Sequence, residues 1–95
     1  MSSLIQGNPW IWVLIQGNVG NEQYVGQYDE ENDISFIPGF LTKDDALKGY
    51  NLVKRERGLT YEVQAVRYKE LLKDSKNNGF IIFILDGDGN IKEKI

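Results

Sequence analysis

The sequence predicts an α+β fold, with a single mixed sheet of five or six strands and two helices packed mainly on one face. Two segments, residues 10–15 and 80–85, are apolar on both alternating faces, which is typical of central strands. Strand-like and helical segments follow one another in the order β-β-β-α-β-α-β-β. A chain of 95 residues can bury one core and no more, so we expect one domain.

Three segments rich in β-forming residues precede the first helix: residues 10–15, 22–28 and 33–37. The glycine-rich segment 17–21 and the acidic run 29–32 separate them, and both compositions are typical of turns. Pro38 and Gly39 are expected to end the third strand, because both residues interrupt strands. These segments predict a meander of three strands.

The strongest local pattern predicts a helix over residues 43–57. Thr42 is a good helix cap, and Asp44 and Asp45 place negative charge on the first turn, where the helix dipole favours it. Gly49 lies beside the apolar stripe of this helix and would let the helix axis approach the sheet closely. The last turn carries positive charge instead, on Lys54, Arg55 and Arg57.

The second half of the chain continues with a strand, a short helix and a hairpin. Residues 60–68 predict the fourth strand, and residues 69–77 predict a helix that ends before Gly79. Residues 80–85 form the second strand with two apolar faces. The sequence Asp-Gly-Asp-Gly at residues 86–89 predicts a hairpin turn, after which alternating lysines indicate a charged edge strand.

The N-terminal residues are set apart from this domain. Residues 1–9 are predicted to be a flexible leader or an extra edge strand, and residues 10–95 the single α+β domain. The sequence LIQGN occurs at residues 4–8 and again at 14–18, but two copies are too few for a repeat architecture. Because the start lacks basic residues and no apolar run could span a bilayer, we expect a cytoplasmic protein with no membrane partner.

The chain contains no histidine and no cysteine, which removes the imidazole base, the thiolate nucleophile and the usual ligands of zinc, haem and iron–sulfur clusters. We therefore expect no metal and no cofactor, assign no catalytic residue, and favour a function other than catalysis. An enzyme that uses a carboxylate or a tyrosine as general acid or base stays open as an alternative. The acidic runs at residues 29–33 and 86–88 are interpreted as solvated turns.

Basic residues cluster in the second half of the chain, against a net charge of −3. Because arginine and lysine bind phosphate and carboxylate groups, four of them are candidates for binding a phosphorylated ligand or nucleic acid. These candidates are Lys54, Arg55, Arg57 and Arg67. The acidic net charge makes nucleic acid an unfavourable partner, and solvation and the helix dipole also explain these basic residues.

Trp10 and Trp12 point to the same side of the first strand and are candidates for an interface. Two short helices cannot cover both faces of a six-strand sheet that is ~25 Å wide. A face left bare in this way marks an interface or a ligand surface, unless the N-terminal residues cover it. We therefore expect a non-catalytic protein-binding or regulatory module that self-associates as a homodimer, or binds another protein, through that face or an edge strand.

Several short motifs between residues 10 and 80 form a recognisable set: Trp12-Val13-Leu14-Ile15, Asn21-Glu22, Tyr24, Phe40, Asp44-Asp45-Ala46, Tyr50 and Glu62-Val63. This set resembles small single-domain proteins of unknown function from cyanobacteria and plastids. The resemblance implies a compact α/β domain without an assigned activity, and it transfers no functional residue. The chain departs from that pattern by continuing into the apolar strand at 80–85 and a terminal hairpin.

Overall fold

The computed structural model describes residues 5–17, 22–52 and 57–95 of the protein. In this part of the chain seven strands form one mixed sheet and two helices pack against it, which confirms the predicted α+β class. The strands are β1 (Trp10–Gln16), β2 (Gln23–Tyr24), β3 (Gln27–Asp29), β4 (Ile34–Phe40), β5 (Tyr61–Arg67), β6 (Ile81–Leu85) and β7 (Ile91–Lys94), and the helices are α1 (Lys43–Tyr50) and α2 (Tyr68–Asn77). The sheet exceeds the predicted five or six strands because Val25 and Gly26 divide the second predicted strand into β2 and β3.

The strand β1 lies inside the sheet and has a neighbour on each side. It pairs antiparallel with β5 along its whole length, beginning with Trp10 opposite Arg67. Its other edge is divided between β4, which pairs at Trp12, and β2, which pairs at Ile15. β4 pairs with β3 at its start and runs parallel to β6, and β7 pairs antiparallel with β6. The sheet therefore extends from β5 at one edge to β7 at the other.

The third predicted strand does not end at Pro38, as expected, but continues to Phe40 within β4. Pro38 lies between the stretch of β4 that pairs with β3, up to Phe36, and the stretch that pairs with β1, from Gly39. Along a strand, alternate residues direct their backbone groups to the same edge. The backbone groups of Pro38 therefore point to the same edge of β4 as those of Phe40, and this edge faces β1. Because the missing N–H of the proline falls at this gap, the strand continues without losing a ladder hydrogen bond.

Both helices begin close to their predicted starts. The Thr42 hydroxyl oxygen accepts a hydrogen bond from the Asp45 N–H at 3.1 Å, which is the expected cap of α1. α1 ends at Tyr50, earlier than predicted, and residues 53–56 of the predicted last turn lie outside the described residues. α2 ends at Asn77, two residues before the left-handed Gly79, and Phe80 N–H donates to Ser75 O at 2.8 Å. Neither helix of the described chain is long and apolar enough to cross a bilayer.

The two helices pack on opposite faces of the sheet, so the predicted placement of both mainly on one face is wrong. Leu71 of α2 packs in a cluster with Ile11 and Val13 of β1. Gly49 of α1 instead lies against the ring of Phe40, on the other face. Successive residues of a strand point to opposite faces, and the two sets of contacts use alternate positions.

The direction of the two helical connections explains this arrangement. The strands β4, β5 and β6 are mutually parallel, because β4 and β5 are each antiparallel to β1 and β6 is parallel to β4. The connection through α1 crosses from β4 past β1 to β5, and the connection through α2 returns from β5 to β6. Right-handed crossovers that run in opposite directions place their helices on opposite faces. Two crossovers that run the same way, as expected from the sequence, would have placed both helices on one face.

Each helix covers its own apolar core. The core under α2 contains Ile5, Ile11, Val13, Ile15, Ile37, Leu71, Ile82 and Ile84. The core under α1 contains Leu14, Phe40, Ala46 and Phe83, all of them buried. A Cβ atom at Gly49 would overlap the Phe40 ring, so the close approach expected of this glycine is confirmed.

The described part of the N-terminal segment, residues 5–9, packs against the domain. Ile5 is buried in the core under α2, together with Ile15 from the second LIQGN copy. The Asn8 side-chain oxygen accepts a hydrogen bond from Lys69 N–H at 2.9 Å, at the start of α2. Residues 1–4 lie outside the described residues. The predicted division into residues 1–9 and 10–95 stays a prediction.

Candidate functional site

Trp10 and Arg67, which the sequence assigned to an interface and to a ligand-binding group, lie side by side at one end of the sheet. They are opposite residues of β1 and β5, and the guanidinium carbon of Arg67 is 4.0 Å from the centroid of the Trp10 ring. Cation–π stacking of this kind contributes about 0.5–1 kcal/mol at an exposed site. Trp10 is 52% exposed, so part of the pair stays accessible to a partner.

Trp12, the second predicted interface residue, is half-buried on the same face. The ammonium nitrogen of Lys43 lies 5.8 Å from its ring centroid. Because α1 packs over β1, β4 and β5 on this face, the bare apolar face that the sequence predicted is covered. The sequence also predicted that two chains could associate through an edge strand.

The predicted ligand-binding group is not assembled among the described residues. Arg57 is exposed in the turn before β5, whereas Arg67 is the last residue of β5. A strand of this length spans ~20 Å, which keeps the two guanidinium groups at opposite ends of β5. Lys54 and Arg55 lie outside the described residues. A joint role for these four residues in binding a ligand stays a prediction.

The outer edge of β5 carries a row of outward backbone groups. Two hydrogen bonds at the ends of the β1–β5 ladder show which residues of β5 bond to β1. Gly17 N–H donates to Thr60 O at 3.0 Å, and Tyr68 N–H donates to Pro9 O at 2.9 Å. Hydrogen-bonded and non-hydrogen-bonded pairs alternate in an antiparallel ladder, so the even-numbered residues of β5 bond to β1. The odd-numbered residues direct their N–H and C=O groups to the outer edge, and these are Tyr61, Val63, Ala65 and Arg67.

Within the described chain no strand pairs with this edge, and β5 lacks the features that commonly protect an edge. It has seven residues without proline, an uninterrupted register with β1, and an uncharged middle at residues 63–66. β7 at the opposite edge has four residues, including Lys92 and Lys94, and its register with β6 shifts at Leu85. Of the two edges, β5 is therefore the one open to pairing with another strand.

The two acidic runs form hydrogen-bonded turns. The Asp29 carboxylate accepts the side-chain amide of Asn32 at 2.9 Å and the Glu31 N–H at 3.1 Å, and these bonds lower the pKa of Asp29. The Asp86 carboxylate accepts the side-chain amide of Asn90 at 3.0 Å and its backbone N–H at 2.9 Å, which lowers the pKa of Asp86. Across residues 5–17, 22–52 and 57–95, no group of three acidic side chains is placed to hold a metal ion.

Folding strongly perturbs the ionisation of Tyr24 in β2. Its hydroxyl donates a hydrogen bond to Asp74 Oδ2 at 2.9 Å, which joins β2 to α2. Burial raises the pKa of the Tyr24 hydroxyl well above its usual range, and the hydrogen bond to Asp74 and the carboxylate charge raise it further. The two residues are 50 positions apart, so no local pattern in the sequence could have joined them.

Tyr24→Phe is expected to lower the free energy of unfolding by about 1 kcal/mol at neutral pH, because it removes one side-chain hydrogen bond. The folded state raises the tyrosine pKa above its ordinary value of 10.0. The contribution of the tyrosine is therefore fully present below that pH and lost as the pH rises above it. Urea unfolding in alkaline buffers should give a steeper loss of stability for the native chain than for Tyr24→Phe. Parallel losses would contradict the role of Tyr24.

The outer edge of β5 is a candidate binding surface that the sequence did not identify. Residues 60–68 predict a strand, but their uncharged middle is as typical of a central strand as of an edge. Only the pairing of β1 with β5 along its whole length places β5 at the border of the sheet. The absence of lysine and proline between residues 61 and 66 is the one signal in the sequence that matches an unprotected edge.

Comparison of the chain with protein-family models, curated protein sequences and solved structures found no match. The resemblance of residues 10–80 to small cyanobacterial and plastid proteins stays a prediction. The outer edge of β5 and the Trp10–Arg67 pair are the candidate binding elements of the described chain.

Proposed function

We propose that the protein is a non-catalytic protein-binding module that self-associates by pairing β5 with β5 of a second copy. The observation that carries the proposal is the row of outward backbone groups on β5, an edge without protecting features. Such groups are a template for strand addition, in which backbone hydrogen bonds supply the affinity. A second copy is the partner favoured here because β5 is complementary to itself.

Symmetry restricts the register of this pair. Two antiparallel copies of β5 related by a two-fold axis must place outward residues opposite outward residues, because only these can exchange hydrogen bonds. A register with Gln64 on the axis satisfies this condition and uses the whole strand. It places Val63 of each copy opposite Ala65 of the other, in a hydrogen-bonded pair.

The side chains on both faces of the sheet suit this register. On the face of α1, Tyr61 of the second copy would lie opposite Arg67, whose guanidinium group already stacks on Trp10. On the face of α2, Glu62 would lie opposite Val66, so no two like charges would stand opposite each other. Each of these contacts would occur twice because of the two-fold axis.

The side chains of the protein favour binding over catalysis. The chain has no imidazole and no thiol. A general acid or base works best with a pKa near the working pH, whereas the shifted groups move away from it. The pKa values of Asp29 and Asp86 are lowered, and that of Tyr24 is raised. The cytoplasmic location predicted from the sequence suits a chain without cysteine and belongs to the same proposal.

Gln64→Cys tests both the association and its register. Opposite residues of a non-hydrogen-bonded antiparallel pair have Cα atoms about 4.5 Å apart, within the range that a disulfide spans. The native chain has no cysteine, so the substitution supplies a single thiol in each copy. We expect mild oxidation to convert most of this variant to a disulfide-linked dimer, seen on a non-reducing gel.

Glu62→Cys and Val66→Cys are matched controls on the same strand. Position 62 would lie opposite position 66 of the second copy, so each control alone should form no disulfide-linked dimer on the gel, and a mixture of the two should cross-link. Self-linking of Glu62→Cys would contradict the register. If Gln64→Cys cross-links no more than Ile91→Cys, at an exposed position on β7, the proposal is wrong.

A further inference from the structure

The two flanks of α1 face different edges of the sheet. Ala46 is buried and points to the sheet, so its neighbours Asp45 and Leu47, each about 100° away around the helix, lie on opposite flanks. A Cβ atom at Gly87, which follows β6, would lie 3.1 Å from the Asp45 carboxylate, so the flank of Asp45 faces β6. Because β5 lies at the other edge of the sheet, Leu47 lies on the flank toward β5.

An apolar surface extends from Leu47 to the outer edge of β5. The side chain of Leu47 is 49% exposed. Opposite residues of a ladder point to the same face, so Ala65, opposite Trp12, lies on the face of α1, and so does Val63 two residues earlier. Both are only partly buried, although α1 packs over β5. We call Leu47, Val63 and Ala65 the Leu47 surface.

The other face of the sheet has a polar surface beside β5. The Gln64 side-chain amide donates hydrogen bonds to the carboxylates of Glu62 and Glu22, the latter at 3.3 Å. Asp74 of α2 accepts a hydrogen bond from Tyr24. A stable interface between proteins has a buried apolar core surrounded by polar residues. Of the two faces beside β5, the face of α1 is therefore the one that can supply such a core.

The proposed pairing of β5 brings two Leu47 surfaces together. Its two-fold axis is perpendicular to the sheet, which keeps both α1 helices on one face and makes them antiparallel. Across the axis the strands would follow in the order β1, β5, β5, β1, so the two β1 strands would be ~14 Å apart. α1 packs over β1 and β5, and a helix with its side chains is ~10–12 Å wide. The facing flanks would therefore lie within side-chain reach of each other.

The position of α1 along the strands also favours this contact. Gly49 of α1 lies on Phe40, and Phe40 is in line with Ala65 across β1. Ala65 is one residue from Gln64, which lies on the two-fold axis, so the two helices would stand at nearly the same level. Because the helices are antiparallel, their first residues, Lys43, would lie at opposite ends, and these like charges would be kept apart.

We infer that the Leu47 surface forms the apolar core of the interface between two copies, with Leu47 of each α1 packed against the α1 of the other. The inference rests on the pairing of β5 proposed above. It adds a contact between helices that the pairing of the strands does not itself require. The occupant is a second copy because the surface adjoins an edge that is complementary to itself.

Leu47→Glu and Leu52→Glu test the inference as a matched pair. Both leucines are exposed, but Leu52 lies against Gly89, on the flank toward β6. We expect Leu47→Glu to weaken self-association at least tenfold, because it removes apolar burial and brings two like charges together. Leu52→Glu changes the net charge equally and should leave the dissociation constant unchanged. Sedimentation velocity measures both constants, and circular dichroism checks that both variants fold.

Cysteine cross-linking locates the contact independently of these substitutions. A short bismaleimide should join two copies of Leu47→Cys and should leave Leu52→Cys unlinked. The pairing of β5 stands and this inference is wrong if Gln64→Cys forms its disulfide but Leu47→Glu associates as tightly as Leu52→Glu, or Leu47→Cys links no more than Leu52→Cys. If Gln64→Cys cross-links no more than Ile91→Cys, the pairing of β5 is wrong and the inference falls with it.

Discussion

Ala65→Pro is expected to weaken self-association about a hundredfold while leaving the monomer folded. The N–H of Ala65 points to the outer edge of β5, so a proline there removes no hydrogen bond to β1. In the proposed dimer the substitution removes one donor from each copy and leaves the two carbonyl groups of Val63 unpaired. Two such losses amount to about 2–3 kcal/mol. Sedimentation velocity gives the dissociation constant, and circular dichroism reports the fold.

Gln64→Pro is the control, because the backbone groups of Gln64 point to β1 and not to the outer edge of β5. The N–H of Gln64 bonds to β1, so its loss should lower the free energy of unfolding of the monomer by more than ~1 kcal/mol. Ala65→Pro and Gln64→Pro place the same residue one position apart, and only the direction of the backbone groups differs. If Ala65→Pro leaves the association unchanged, or if both prolines destabilise the monomer equally, the backbone groups of Ala65 do not point to the outer edge of β5 as described.

Leu71→Ala is expected to lower the free energy of unfolding by about 3–4 kcal/mol, because it leaves a cavity in the core under α2. Leu71 is fully buried and packs in the cluster that contains Ile11 and Ile82. Leu47→Ala is the matched control, since Leu47 of α1 is 49% exposed and its truncation should cost less than about 1 kcal/mol. Urea unfolding measures both variants. Equal losses would mean that Leu71 does not anchor α2 to the sheet.

The order of the strands and helices could be predicted because it depends on signals that are local in the sequence. Thr42 caps α1 through the Asp45 N–H three residues later, and Asp86 closes its turn through Asn90 four residues later. The close approach of α1 to the sheet could be predicted from Gly49, since glycine is the one residue that leaves room for the Phe40 ring. Such contacts require no knowledge of how strands pair.

The sheet face that each helix covers and the strands that form the sheet edges could not be predicted, because both depend on pairing between distant strands. β1 pairs with β5 on one side and with β4 on the other, and this choice sends the two helical connections in opposite directions. The same choice places Pro38 at a gap and leaves β5 at the border of the sheet. Trp10 and Arg67 could each be identified in the sequence, but the register of β1 and β5 was needed to bring them together.

Sedimentation equilibrium of the unmodified chain over a range of micromolar concentrations tests the central claim most directly. Self-association through β5 predicts a weight-average mass that rises reversibly from 10.9 kDa toward that of two chains. Because the two-fold axis uses the outer edge of β5 in both copies, the mass should level off there and not continue to larger assemblies. A mass that stays at 10.9 kDa throughout the range would contradict the account.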